Sequence, residues 1–187
     1  MLIKHLYLIR HCSAEGQEPE ASLTKDGRYQ AVKLANTLRT VPFDKLYSSP
    51  FRRAKQSIEP LALALDQSIT IDDRLSERIL TSEPIDSWLE ELEKTFNDTS
   101  YKLDGGESSE EATARGLRAL EEVIHHTKEY ALMMTHGNLL TLLLRYYDSS
   151  LGFDTWKSLT NPSIYCLTFD DNFYQSMKHI NLERQEI

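Results

Sequence analysis

The chain has 187 residues, 40% of them hydrophobic and 27% charged, with a net charge of −8. That length favours one domain, expected over residues 1–187, which buries about 70% of the surface its unfolded chain exposes and needs no metal or disulfide staple. The composition excludes disorder and collagen-like repeats. The acidic balance argues against general nucleic-acid or anionic-membrane binding, yet leaves room for a locally positive pocket.

In chain order, residues 2–9 read as a buried strand that ends where Arg10-His11 begins. Residues 24–39 read as a helix capped by Thr24, with Ala31, Val32, Ala35 and Leu38 at helical spacing. Residues 45–48 form a short strand, and Ser49-Pro50 opens a helix carrying Ala54, Ile58, Leu61 and Leu65, which Pro60 should kink or interrupt. A strand over 68–72 precedes an irregular stretch, 75–84. Ile85, Trp88, Leu89, Leu92 and Phe96 mark an amphipathic helix, and Asp104-Gly105-Gly106 a turn. Ser108 and Glu111 form a capping box for a helix through Leu117, Leu120 and Ile124. A strand over 130–135, a helix over 138–147 and a hairpin of 164–169 with 173–180 complete the pattern. This alternation implies an α/β fold with a mostly parallel central sheet and a C-terminal hairpin.

The N-terminus lacks a secretory leader pattern, and the most apolar stretch, Leu139 to Leu144, stops at Arg145, too short to span a bilayer. A soluble, cytoplasmic protein is expected. Cys12 and Cys166 cannot form a metal site unaided, and no CxxC spacing occurs.

Ligands of parallel α/β sheets bind outside the carboxyl ends of the strands. That rule selects Arg10-His11-Cys12, Ser48-Ser49, the stretch 75–84 and His136-Gly137-Asn138. His11-Cys12 is similar to the H-C-x5-R loop of cysteine phosphatases, but position 18 is Glu18 where that chemistry needs an arginine. Cys12 is better read as a small space-filling residue. His11, His136 and a carboxylate could hold a metal, but adjacent Arg10 would repel a divalent cation. An arginine and a histidine leaving one strand supply an anion clamp and a nucleophile together. Glu107 and Ser108 read as turn and cap residues, and Trp88 and Trp156 as core or interface residues.

At this point a resemblance is plain. Leu8-Ile9-Arg10-His11-Cys12 resembles the R-H-G signature of the histidine phosphatase superfamily, in its phosphoglycerate-mutase-like phosphatase branch, with Cys12 where glycine is usual. The likeness continues, in the family's order, with Leu23-Thr24…Gly27, Ser48-Ser49-Pro50 through Arg53 to Ser57, Leu75-Ser76-Glu77, Gly105-Gly106-Glu107-Ser108 and Thr135-His136-Gly137.

The resemblance implies a three-layer α/β/α sandwich and metal-independent phosphate transfer through a phosphohistidine, with no cofactor. It assigns His11 as nucleophile and Glu77 as acid and base. Arg10, Arg53 and His136 become catalytic cations that, with Gly137, bind phosphate. The positive neighbours Arg10, Arg53 and His136 would keep His11 neutral. The mutases' R-H-G-E-S-x-W-N and R-H-Y-G continuations are absent, which favours a phosphomonoester phosphatase over a mutase. The presence of Glu77 with Arg10-His11 speaks against a silent phospho-ligand binder, which would not need the acid. A small phosphorylated metabolite or a phosphoprotein is the expected partner. Helix phase separates the adjacent arginines independently: about 100° per residue sets Arg52 opposite the Ala54, Ile58, Leu61, Leu65 face and Arg53 on its flank.

Overall fold

The computed structural model describes residues 2–182; Met1 and residues 183–187, the two ends of the expected 1–187 unit, lie outside it. Along the chain run β1 (Ile3–Arg10), α1 (Lys25–Leu38), β2 (Lys45–Ser48), α2 (Arg52–Leu65), β3 (Ile69–Ile71) and a 3-10 turn (Asp73–Leu75). They are followed by α3 (Trp88–Asn97), α4 (Ser109–His126), β4 (Tyr130–Thr135), α5 (Gly137–Tyr147), α6 (Phe153–Ser158), β5 (Ser163–Asp170) and β6 (Phe173–Ile180). The strands make one sheet in the order β3-β2-β4-β1-β5-β6. The first four of that order are parallel, and β5 and β6 add an antiparallel hairpin at the β1 edge.

Strand alternation explains the layers. Leu6 and Leu8 of β1, with Ala131 and Met133 of β4, pack against α3, α4 and α5, where Phe96, Leu120 and Leu140 lie. Their sequence neighbours Ile9, Leu132 and Met134 face the other way, into a core with Leu34 of α1 and Ile58 and Leu61 of α2. A strand that is apolar on both faces must be covered on both, which produces the α/β/α sandwich. α5 is buried at every position from Gly137 to Leu144, so its sequence is apolar all round rather than amphipathic. Among the described residues no helix is long and apolar enough to cross a membrane.

Several boundaries differ from expectation for physical reasons. α2 starts at Arg52, not at Ser49-Pro50, and Phe51 caps it without a side-chain bond. Ser49 is engaged elsewhere: its N–H bonds the Met134 carbonyl and its hydroxyl meets His136. Pro60 neither ends nor splits α2, which continues to Leu65. Burial of Ile58, Leu61 and Ala62, at about 1.5–3 kcal/mol for a large side chain, offsets the ~3 kcal/mol of an internal proline. Val32 faces solvent and Leu34 takes the core position. β3 is shorter than 68–72, α3 begins at Trp88 rather than Ile85, and α6 carried no clear sequence signal.

Register places the site. Arg10 pairs with Thr135, and Ser48 with Met134, so β1, β4 and β2 end at one level. The next residues, His11, His136 and Ser49, therefore emerge side by side. The His11 N–H bonds the Thr135 carbonyl at 3.0 Å, extending the ladder one residue beyond the strand.

The loop from His11 to α1 closes under a tight contact. Thr24 caps α1 by accepting the Gly27 N–H, and a Cβ on Gly27 would stand 2.0 Å from the Ser13 carbonyl oxygen. Gly27→Ala sets a helix-propensity gain of about 1 kcal/mol against a backbone overlap costing about 1–3 kcal/mol. Net destabilisation is expected in urea unfolding; a stabilised variant would show that the loop yields freely.

Candidate active site

His11 is buried, and its two nitrogens have different partners. Nδ1 lies 2.6 Å from the Cys12 carbonyl oxygen, which can only accept, so Nδ1 carries the proton. Nε2 keeps its lone pair and accepts from Arg53 Nε–H at 3.1 Å. Burial first, and then the charges of Arg53 and Arg10, push the His11 pKa down to about 3. The imidazole is neutral, as expected, but desolvation contributes more than the cationic neighbours do.

Arg53 is 1% exposed and holds the loop after His11 as well, its Nη1 donating to the Gln17 and Glu18 carbonyls at 2.9 Å each. Its guanidinium lies over the Phe51 ring. Arg52, by contrast, is exposed and meets Glu20 at 3.4 Å. Helix phase thus separated the two arginines correctly, although Arg53 lies deeper than the flank position the phase implied.

His136 begins α5 behind His11, with ring centroids 5.1 Å apart, and its Nε2 pairs with the Ser49 hydroxyl at 2.7 Å. Burial, then His11 and the surrounding guanidinium charges, hold its pKa well below the usual histidine value. Without an anion beside it, this burial favours the neutral imidazole of His136.

Arg10 reaches the opposite wall. Its Nη1 donates to the Leu159 carbonyl at 2.9 Å, and Asn161 Nδ2 donates to the His11 carbonyl at 2.8 Å. The loop between α6 and β5 therefore clasps both signature residues, a contact no motif announced. Gly137 matters through its missing side chain: a Cβ there would lie 3.1 Å from Arg10 Nε and 3.4 Å from Trp156 Nε1.

Glu77 stands at the start of α5. Its Oε1 accepts the Arg78 and Leu139 N–H groups, and its Oε2 the Asn138 N–H, at 2.9 to 3.0 Å. A carboxyl group at a helix N-terminus satisfies orphan donors and complements the helix dipole. Its approach is braced by Arg115, which donates to the Arg74 and Ser76 carbonyls and forms a two-pronged pair with Glu107 at 2.6 and 2.8 Å. Glu107 is thus a structural partner, and Ser108 completes the capping box of α4 with Glu111.

Arg10, His11, Glu77 and Gly137 line one cavity of about 470 Å³, together with Gln17, Arg78, Asn138 and an apolar side made partly of Trp88 and Trp156. Arg53 and His136 stand behind His11 rather than on the wall. Trp88 and Trp156 were expected in the core or an interface; Trp156 does pack against the core, Trp88 is half exposed, and both also border this cavity. Among the described residues, the buried side-chain polar atoms without a partner are Asp170 Oδ1 and five others. Those five are Arg10 Nε, Arg78 Nη2, His136 Nδ1 and both amide atoms of Asn138, all at this site. Buried polar groups are ordinarily paired, so such a cluster marks a place for a polar ligand. The strand-end rule selected Asn138 and the stretch that holds Arg78 but gave neither a role; Arg78 takes its buried side-chain partners from α3 and α4.

Cys12 packs with Leu23 and Ala31, and burial pushes its thiol pKa up to about 11, which suits a space-filling thiol and not a nucleophile. Among the described residues no three His, Cys, Asp or Glu side chains are grouped to hold a metal ion.

The depressed His11 pKa has a consequence for folding. Between about pH 3 and the ordinary value of 6.5, the unfolded chain binds a proton that folded His11 refuses. Stability therefore falls as pH drops through that window and is unaffected by His11 above it. In urea titrations His11→Asn is expected to lose stability less steeply on acidification, by up to one proton's slope, about 1.4 kcal/mol per pH unit. Equal slopes would mean that folded His11 titrates normally.

Comparison with known proteins agrees with this geometry. The chain is 30% identical over 153 residues to "Putative phosphoserine phosphatase 2" of Hydrogenobacter thermophilus, covering 74% of this chain and 75% of that one. It is 27% identical over 191 residues to "Probable phosphoglycerate mutase GpmB" of Shigella dysenteriae, covering 91% and 87%. The fold matches mycobacterial glucosyl-3-phosphoglycerate phosphatase with a TM-score of 0.74, at 20% identity over 95% of this chain and 97% of that one. It also matches YhfR of Bacillus stearothermophilus with a TM-score of 0.76, at 23% identity over 92% and 94%. The sequence profile of the histidine phosphatase superfamily (branch 1) matches residues 6–182, and the chain belongs to that family.

Proposed function

We propose that the chain is a phosphomonoester phosphatase that works through a phosphohistidine at His11, without a metal. The observation that carries this reading is the state of His11: neutral, held by the Cys12 carbonyl, with its Nε2 lone pair facing Arg53 Nε. Attack by Nε2 on phosphorus forms the P–N bond as the P–O bond to the leaving alcohol breaks. Glu77 gives that alcohol its proton. Water then attacks the phosphohistidine, Glu77 takes the water's proton, and the breaking P–N bond returns the lone pair to Nε2.

The unpartnered Arg10 Nε and Asn138 amide would face the transferring group's oxygens, and Arg53 would pass its Nε–H from Nε2 to a phosphate oxygen as the substrate arrives, freeing the Nε2 lone pair for the attack. Arrival of the dianion favours protonation of His136, whose Nδ1 has no other partner. A cavity of about 470 Å³ falls within the ~300–1,000 Å³ of small-molecule sites, which supports a small phosphorylated metabolite as substrate. The relative named as a mutase keeps a second reading open, in which the phosphoryl group returns to an alcohol.

Brief mixing with ³²P-labelled substrate is expected to leave an acid-labile, alkali-stable phosphoenzyme that His11→Ala abolishes, and activity is expected to survive chelators. Label on Cys12, or label stable to acid, would overturn the mechanism. Transfer to an added alcohol acceptor in place of inorganic phosphate would establish the mutase reading.

Glu77→Gln is expected to slow esters of poorly acidic alcohols by about 10²–10⁴-fold and activated aryl esters least. Arg53→Ala is expected to cut turnover and weaken vanadate inhibition, whereas Arg52→Ala stays within about ±0.5 kcal/mol of wild-type stability with normal activity. An inactive Arg52 variant would contradict the placement of Arg53 against His11.

A further inference from the structure

We propose that the apolar side of the cavity is a leaving-group subsite for a flat ring. The preferred substrates would then be phosphate monoesters of alcohols bearing an aryl or heterocyclic ring, not of small acids. The proposal rests on the phosphatase reading and deepens it.

Trp156 borders the phosphate cradle directly, since its Nε1 and Arg10 Nε both crowd the vacant Cβ position of Gly137. The indole is fixed from behind: it stacks on Phe153 at 5.6 Å and 14°, and Phe153 meets Phe96 at 6.0 Å. Trp88, at the first residue of α3, meets Trp156 nearly perpendicularly, with centroids 6.2 Å apart and planes at 80°. Although an indole gains much from burial, Trp88 remains 49% exposed at the cavity. Two perpendicular indoles form a corner in which a flat ring stacks on one and presents its edge to the other, the two arrangements aromatic quadrupoles favour. Leu80 and Leu92 extend that wall.

The rival occupant is the carboxylate of a small phosphorylated acid, held by Arg78. The hydrogen bonds of Arg78 oppose it. Nε is committed to the Glu107 carbonyl, and Nη1 to the Thr95 and Ser109 hydroxyls, at 2.7 to 3.3 Å. Only Nη2 lacks a partner, so no two-pronged grip on a carboxylate remains. One free nitrogen, with its two N–H groups, suits a ring nitrogen or carbonyl oxygen on the leaving group.

Trp88 and Trp156 are the chain's two tryptophans, so intrinsic indole fluorescence reports this subsite alone. Benzylphosphonate, which cannot be hydrolysed, is expected to perturb that emission and to bind at least about tenfold more tightly than ethylphosphonate. In hydrolysis, kcat/KM is expected to favour benzyl over ethyl phosphate by a similar factor, the two alcohols being comparable leaving groups. Nucleoside 5′-monophosphate against ribose 5-phosphate tests heterocyclic rings in the same way. Trp88→Ala, at a half-exposed position that spares the fold, is expected to collapse both ratios toward one, and Trp88→Phe to restore them.

Equal binding of the two phosphonates, or tighter binding of 3-phosphonopropionate than of benzylphosphonate, would overturn the proposal. Discrimination between the phosphonates without hydrolysis of any ester would uphold the subsite and overturn the phosphatase reading instead.

Discussion

The hydrogen bond from Arg53 to His11 is the constraint around which the molecule is arranged. A buried guanidinium can face an imidazole nitrogen only if that nitrogen offers a lone pair, so the contact and the neutrality of His11 require each other. Arg53 in turn needs acceptors for its remaining N–H groups, and the carbonyls of Gln17 and Glu18 supply them. One side chain thereby orients His11 and pins the loop that follows it. Removing it would leave both unsupported, as expected of a buried charge with several partners.

The sheet supplies the rest of the geometry. Because β1, β4 and β2 end level, His11, His136 and Ser49 meet without long connecting loops. The start of α5 then contributes at three points: His136 caps it, Gly137 leaves space for Arg10, and the next two N–H groups hold Glu77. Each device is simple, a strand end or a helix end whose unpaired groups need partners. Their convergence at the carboxyl ends of these central strands places a neutral histidine, unpaired buried donors and a carboxyl group around a single cavity.

That cavity divides into two kinds of surface. The polar side is built from the ends of β1 and β4 and the first turn of α5, the most buried part of the fold. The opposite side comes from the stretch after Glu77 and from α3 and α6, which contribute Leu80, Trp88, Leu92 and Trp156. Chemistry common to a family belongs on the rigid layer, whereas recognition of the leaving group belongs on elements free to vary in sequence.

Much of this was legible in the order of residues alone. Local periodicity pointed to an α/β fold with a mostly parallel sheet, the family resemblance implied the three-layer sandwich, and the Ser108–Glu111 capping box and helix phase are properties of a few neighbouring positions. Helix phase even separated Arg53 from Arg52, since 100° per residue acts over a single step. Tertiary structure decided what depends on residues distant in the chain. Ser49 left its role as a helix cap because His136, 87 positions away, takes its hydroxyl. Pro60 was tolerated because the burial of Ile58, Leu61 and Ala62 outweighed one lost hydrogen bond. Burial pushed the His136 pKa down, Arg78 gained its partners from α3 and α4, and two tryptophans became cavity walls. None of these is a local property: each depends on which surfaces the sheet brings together and on how completely they exclude water.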